Sequence, residues 1–175
     1  MKYTAYIGLG SNLASPAGNP TETVRAAIGA LASLGSVTAQ SSLYRTAPVG
    51  DREQPYFTNA VVCLETELEP EPLLGKLLEI ERSFGRDRLH GIPKGPRTLD
   101  LDILLVFKCN AEPVVQQSPV LKLPHPGIAH RRFVLEPVAE LDPGMLHPVL
   151  GKTMRQLLDG LSDGRANSEE EVTRL

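Results

Sequence analysis

The segment GPRTLDLDILLV, Gly95 to Val106, constrains the fold of this chain more than any other. Side chains of a strand point to opposite faces with a period of two, so Leu99, Leu101, Ile103 and Leu105 share one face and Asp100, Asp102 and Leu104 the other. The pattern predicts a strand with a core face and a second face bearing two neighbouring carboxylates. Two strand rises separate those Cα atoms by about 6.6 Å, where two unit charges at an effective dielectric near 20 repel by roughly 2.5 kcal/mol. Aspartate is also a weak strand former. The pair therefore opposes folding unless water screens it or something positive lies over it.

The chain has 175 residues, enough for one domain with a substantial core. We read residues 1–161 as that domain and 162–175 as a polar, acidic tail expected to fray. A formal net charge of −3 provides no global basic field toward nucleic acid or an anionic membrane, so any anion site must be local. Cys63 and Cys109 form no CxxC or Cys/His cluster, which argues against a disulfide scaffold and a zinc site. No apolar run approaches a membrane span. The expectation is a cytoplasmic protein with no obligate protein partner.

A short strand at residues 3 to 9 precedes a helix starting near Pro20, with Asn19 as its cap and Glu22 placed for a capping box; Gly35 is read as its end. Two strand-like runs follow, Val37 to Thr46 and Phe57 to Thr66, and then a helix over 70 to 84 and the aspartate strand. The order β-α-β-β-α-β predicts an α+β, ferredoxin-like core, an antiparallel sheet with helices packed on it. Residues beyond it, with short helices near His130 to Leu135 and Lys152 to Leu158, read as a C-terminal extension on that core.

The loop before the aspartate strand is long and basic. Between Arg82 and Arg97 lie Arg86, Arg88, His90 and Lys94, interleaved with glycine and proline. Alone it reads equally well as a solvated charged loop. Beside two aspartates it suggests a polyphosphate site, because carboxylates and phosphate oxygens are what Mg²⁺ takes and arginines neutralise the remaining phosphate charge. A second cluster, HPGIAHRRF from His125, adds Arg131 and Arg132, although by itself it reads as a positive helix terminus. The N-terminal GLGSN fails the dinucleotide fingerprint, since the third glycine would fall at Leu13, and no Walker sequence occurs. Its glycines are read as a tight turn.

The segments AYIGLGSNL, SSLYRTAPVG, QPYFTNAVVCLET, EIERSFGRDR, GPRTLDLDILL and LPHPGIAHRRFVLEPVAEL run in order from about Tyr3 to about Asp142. Together they resemble the 6-hydroxymethyl-7,8-dihydropterin pyrophosphokinases of folate biosynthesis, with GPRTLDLDIL the most specific element. The resemblance implies transfer of the β,γ-pyrophosphoryl group of ATP to a pterin hydroxymethyl group, with AMP leaving. It implies that Asp100 and Asp102 hold two Mg²⁺ ions and that Arg86 and Arg97 steady the developing phosphate charge. Glu81, Arg88, Arg97, Ile103, His125 and Arg131 are implied at the ATP site, and Thr46, Val49, Phe57, Asn59 and Phe133 at the pterin site.

Two of those assignments make sense on the residues themselves. Aromatics are only 5% of the chain, and Phe57 and Phe133 near polar loops suit a planar heterocycle, although core packing is the commoner fate of Phe. Asn59 carries a donor and an acceptor on one amide, matching the amide-like edge of a pterin. The chain departs from the family pattern at Lys94, where an aromatic residue is frequent, and at Ala47, where proline is; Leu78 and Lys122 replace polar nucleotide contacts of some relatives. Two other readings stand beside this one. One is an ATP-dependent transferase moving only the γ-phosphoryl group. The other is a nucleic-acid-binding ferredoxin-like module, which the carboxylates on its sheet face disfavour.

Overall fold

The computed structural model describes residues 2–49, 53–88, 95–163 and 171–175. Its central strand, β1 (Tyr3–Ser11), is flanked by β4 (Phe57–Thr66) and β5 (Asp100–Lys108), antiparallel to both. The far edge of β4 is lined by two successive short strands, β2 (Ser36–Gln40) and β3 (Tyr44–Thr46). The helices α1 (Pro20–Leu31) and α2 (Pro70–Ser83) are the crossovers that return the chain to the sheet. This is the expected ferredoxin-like α+β core.

The run expected as one strand from Val37 to Thr46 is broken, and Ser41 explains how the sheet tolerates the break. Its backbone N–H donates to the Val61 carbonyl (2.9 Å), while its hydroxyl oxygen accepts from the Val61 N–H (2.9 Å). A side chain thus satisfies a backbone group that the ladder leaves open. Helix α1 begins as expected: the Glu22 N–H donates to the Asn19 side chain (3.0 Å) and the Asn19 N–H to the Glu22 carboxylate (2.8 Å). It ends earlier than expected, at Leu31, with a turn through Ala32. Gly35 acts instead in a close approach, because a Cβ there would collide with the Glu65 carbonyl oxygen.

Both faces of the sheet are covered. Val24, Ala27 and Leu31 of α1 and Leu73 and Leu77 of α2 pack with Ile7, Leu9, Val62, Leu64, Leu101 and Ile103. On the opposite face α3 (Arg132–Leu141) and α4 (Met154–Asp163) bury Leu135, Val138, Met154 and Leu158 against Val61, Leu104 and Leu105. A small two-stranded sheet, β6 (Gln116–Gln117) with β7 (Lys122–Leu123), and a single 3-10 turn (Ile128–His130) connect β5 to α3.

This arrangement corrects the simple alternation. Tyr6 pairs with Leu105 but Ile7 with Ile103, so Leu104 is an extra residue, a β-bulge. The bulge turns Leu105 away from Leu101 and Ile103 and into the second core beside Leu104. The C-terminal tail is corrected as well. Residues 164–170 lie outside the described residues, but the chain ends in an ordered strand, β8 (Val172–Arg174), antiparallel to β3. The free edge of β3 offers unpaired backbone groups, and β8 takes them.

Replacing Asn19 with Ala removes the box at the start of α1 and should lower unfolding free energy by about 1 kcal/mol. Urea denaturation checks this; an unchanged midpoint would show that α1 does not depend on its cap.

Candidate active site

The uncovered end of the α3 face is a cavity of about 300 Å³. Its floor is β1. Gly8 pairs with Asp102 and Gly10 with Asp100, so bare backbone lies beside each aspartate. These glycines are not the tight turn expected from the sequence; they are strand residues whose missing side chains leave the space open. A Cβ at Gly10 would sit 2.7 Å from the Asn59 side-chain oxygen, and one at Gly8 would touch Leu104.

The walls bring together residues distant in sequence. Thr46, Val49, Phe57, Asn59 and Phe133 all line the cavity, as do Arg97, Asp100, Asp102 and Arg131. Asn59 donates through its amide nitrogen to the Thr46 hydroxyl at 2.6 Å. Val49 is half exposed at the rim. The Arg97 guanidinium lies 5.6 Å from the centre of the Phe57 ring, and that of Arg131 5.9 Å from the centre of Phe133, within cation–π range. Gly127 makes room for Arg131, since a Cβ there would come within 2.9 Å of its guanidinium.

The two aspartates have unequal surroundings. Asp100 is ion-paired with Arg97 (2.7 Å) and approached by Arg88 (3.6 Å) and Arg86 (3.9 Å). These are the positive charges that the strand needs in order to fold. Among the described residues, Asp102 has no ion pair and is helped only by the charges of Arg131 and Arg88. Burial, then the charges of Asp100 and Glu81, push its carboxyl up to about 7. Arg86, half-buried, is lowered chiefly by desolvation, and its Nε is buried with no hydrogen-bond partner among the described residues.

Not every residue implied by the resemblance reaches the cavity. Ile103 is 2% exposed and packs under α1 and α2, on the opposite face of β5 from the aspartates. Glu81 is fully buried; it accepts from Leu101 N–H (2.8 Å) and from Arg88 Nε (2.7 Å) and Nη2 (2.8 Å). Both residues therefore support the strand from beneath. His125 lies near the site but not in the cavity lining, and its Nδ1 accepts from the Gly127 N–H at 3.0 Å. Burial and then Arg131 lower its pKa, which keeps the ring neutral. His90 and Lys94 fall outside the described residues.

Asn12 was not singled out in the sequence, yet it joins two walls. Its side-chain oxygen accepts from the Arg97 N–H (2.8 Å), while its amide donates to Gln54 (3.1 Å) and to the Pro55 carbonyl (3.0 Å). Gln54 is itself a lining residue.

The raised Asp102 carboxyl makes a signed stability prediction. Between about pH 4 and 7 the folded state holds a proton there that the unfolded state has lost, so stability falls as pH rises and then levels off. Asp102→Asn keeps the neutral form at every pH. Without divalent metal or nucleotide, its advantage over the parent should be near zero at pH 4 and on the order of 4 kcal/mol above pH 7. Urea denaturation in chelator across that range measures it, and a pH-independent difference would sink the assignment.

Comparison with known proteins agrees with this geometry. Residues 6–143 match the family model described as 7,8-dihydro-6-hydroxymethylpterin-pyrophosphokinase. The chain is 42% identical to the 2-amino-4-hydroxy-6-hydroxymethyldihydropteridine pyrophosphokinase of Pseudomonas aeruginosa, over 87% of this chain and 88% of that one. It is 38% identical to the protein of the same name from Haemophilus influenzae, covering 89% of this chain and 94% of the relative. It is also 36% identical to the folic acid synthesis protein fol1 of Schizosaccharomyces pombe, but spans only 20% of that protein. The fold recurs in Plasmodium falciparum HPPK-DHPS, solved as wild type with pteroate, with a TM-score of 0.65 and 16% identity over 91% of this chain and 42% of that one.

Proposed function

The chain belongs to the 7,8-dihydro-6-hydroxymethylpterin-pyrophosphokinase family, whose activity is pyrophosphoryl transfer in folate biosynthesis, and from that premise we propose how its cavity works. The pterin lies between Phe57 and Phe133 with its amide edge toward Asn59 and Thr46. ATP lies over Asp100 and Asp102, with its phosphates toward Arg97 and Arg131. The pterin hydroxymethyl oxygen bonds to the β-phosphorus as the bond from that phosphorus to the α,β-bridging oxygen breaks; the hydroxyl proton is lost to solvent and AMP leaves with the bridging oxygen. The observation that carries this reading is one cavity combining two strand carboxylates with two phenylalanines and a paired amide and hydroxyl.

The residues fit Mg²⁺. The donors are two hard carboxylates, and among the described residues no group of three or more His, Cys, Asp or Glu is arranged for a metal. Mg²⁺ is commonly held by one or two carboxylates with substrate phosphates supplying further ligands. The uncompensated charge of Asp102 is a further reason for a cation there. Two bound Mg²⁺ ions supply neutralisation of the phosphate oxygens and orientation of the reacting groups.

The protein's own groups position and neutralise, which is most of what phosphoryl-type transfer requires. Arg97 sits at the seam, paired with Asp100 and stacked near Phe57, and so meets both substrates. Arg86 brings a buried donor that has no partner among the described residues and suits a phosphate oxygen. Arg88, held by Glu81, presents its remaining donors toward Asp100. His125 offers a neutral ring at the nucleotide end. We place the enzyme in the cytoplasm on its free thiols, Cys63 and Cys109; among the described residues no helix is long and apolar enough to cross a membrane.

Nucleotide products formed from MgATP with and without 6-hydroxymethyl-7,8-dihydropterin test the reaction. Pterin-dependent AMP is expected. ADP would mean γ-phosphoryl transfer, and nucleotide turnover independent of the pterin would mean a different acceptor.

Asp100→Ala and Asp102→Ala should each lower turnover at least a thousandfold even at saturating Mg²⁺. The folds should respond differently, because Asp100→Ala takes the carboxylate partner from Arg97 and Arg86 while Arg88 keeps Glu81, whereas Asp102→Ala removes a repulsion. Turnover within tenfold of the parent at high Mg²⁺ would remove the residue from the metal site.

A further inference from the structure

The family match ends at residue 143, and β8 lies beyond it. The strand nevertheless adjoins the pterin side of the cavity, since Val172 pairs with Thr46, a lining residue. Immediately before β8, Glu171 makes two bonds to the wall. Its carbonyl accepts from the Ala47 N–H at 3.0 Å, and its carboxylate accepts from the Tyr56 hydroxyl at 2.9 Å. Ala47 lines the cavity, and Tyr56 directly precedes Phe57.

The clamp is itself anchored. Leu175 N–H donates to the Leu43 carbonyl (2.8 Å), and Arg174 pairs with Glu140 of α3 (3.3 Å). Glu140 accepts in turn from the Ser42 N–H (2.9 Å), the Ser42 hydroxyl (2.7 Å) and the Tyr44 hydroxyl (2.8 Å). The Arg45 guanidinium lies 4.0 Å from the centre of the Tyr56 ring, which ties Tyr56 back to β3.

We propose that Glu171 is a positioning residue for the pterin site, its main chain holding Ala47 and its carboxylate holding Tyr56. The β3–β4 ladder ends with Thr46 opposite Phe57, and Glu171 holds the next residue of each segment, Ala47 and Tyr56, so it fixes how the two walls leave the ladder at the rim of the cavity. The inference rests on reading this cavity as the pterin pocket. Glu171 touches neither substrate nor phosphate, and its effect reaches the pterin through Tyr56 and Ala47. The nearest positive group, Arg45, faces Tyr56 from β3, and the carboxylate bond keeps the phenol protonated, its pKa being raised first by Glu171. The bond is solvent-exposed, so its effect is modest.

The test uses the full chain carrying Glu171→Ala, Glu171→Gln, Tyr56→Phe or both Glu171→Ala and Tyr56→Phe, assayed for AMP formation. Glu171→Ala and Tyr56→Phe should each raise the pterin KM three- to tenfold, with the ATP KM, kcat and Tm unchanged. The double variant should be no worse than the more affected single one. Glu171→Gln, whose amide oxygen still accepts from the phenol, should recover most of the loss. A pterin KM within twofold of the parent in Glu171→Ala, additive effects in the double variant, or equal rises in both KM values with a lowered Tm would each overturn the proposal. A parent that makes no pterin-dependent AMP would instead refute the reading of the pocket.

Discussion

Glu81 is the carboxylate on which the charged side of the site depends. It has no solvent exposure, and a buried charge is tolerable only where its oxygens are bonded and its charge is paired. Glu81 meets both conditions with two partners: the Leu101 N–H, between the two aspartates, and the fork of Arg88. One bond fixes the strand that carries Asp100 and Asp102 against α2. The other aims an arginine at Asp100. Removing Glu81 would leave Arg88 without its partner and unpin the aspartate strand, so a residue that does not line the cavity governs its geometry.

The apolar side of the site depends on what β1 lacks. With alanine in place of glycine at positions 8 and 10, the strand would pack equally well by pattern, but the space beside the aspartates would be occupied. The bulge at Leu104 complements this. It turns both Leu104 and Leu105 toward α3 and α4, so the face is sealed by helices at one end and left open at the other. Asp100 and Asp102 lie at the open end because they precede the bulge.

Much of this was legible in one dimension. The LDLDI alternation identified the strand, its position beside an arginine-rich loop pointed to the place where arginines gather on Asp100, and NPTE identified a capped helix start. Other features escaped for definite reasons. Leu105 changed faces because a bulge adds one residue without a sequence signature of its own. Gly8 and Gly10 resembled a turn because strand glycine is disfavoured, although their i, i+2 spacing in an apolar run is the mark of one bare strand face. The strand at Val172 was hidden because its partner, the edge of β3, lies more than 120 residues away, and edge pairing depends on backbone groups that any short polar segment can supply. Asn12 escaped because its three bonds reach residues 85, 42 and 43 positions away.

The inequality of the two aspartates follows from the same long-range placement. From sequence they are equivalent, one residue apart on one face of a strand. In the fold, Arg97, Arg88 and Arg86 converge on Asp100, while Asp102 sits deeper, with Asp100 and Glu81 as its nearest like charges. With Arg88 held by Glu81, Arg97 and Arg86 still exceed what the one carboxylate of Asp100 requires, so positive charge is left over that suits a polyphosphate. Asp102, which has no ion pair among the described residues, is left with an uncompensated charge that suits a cation. Each half of the site is thus electrostatically incomplete in the opposite sense. On the proposed reading a metal–polyphosphate pair would complete both halves at once, whereas either ion alone would meet a site whose other half still repels it or lacks its partner.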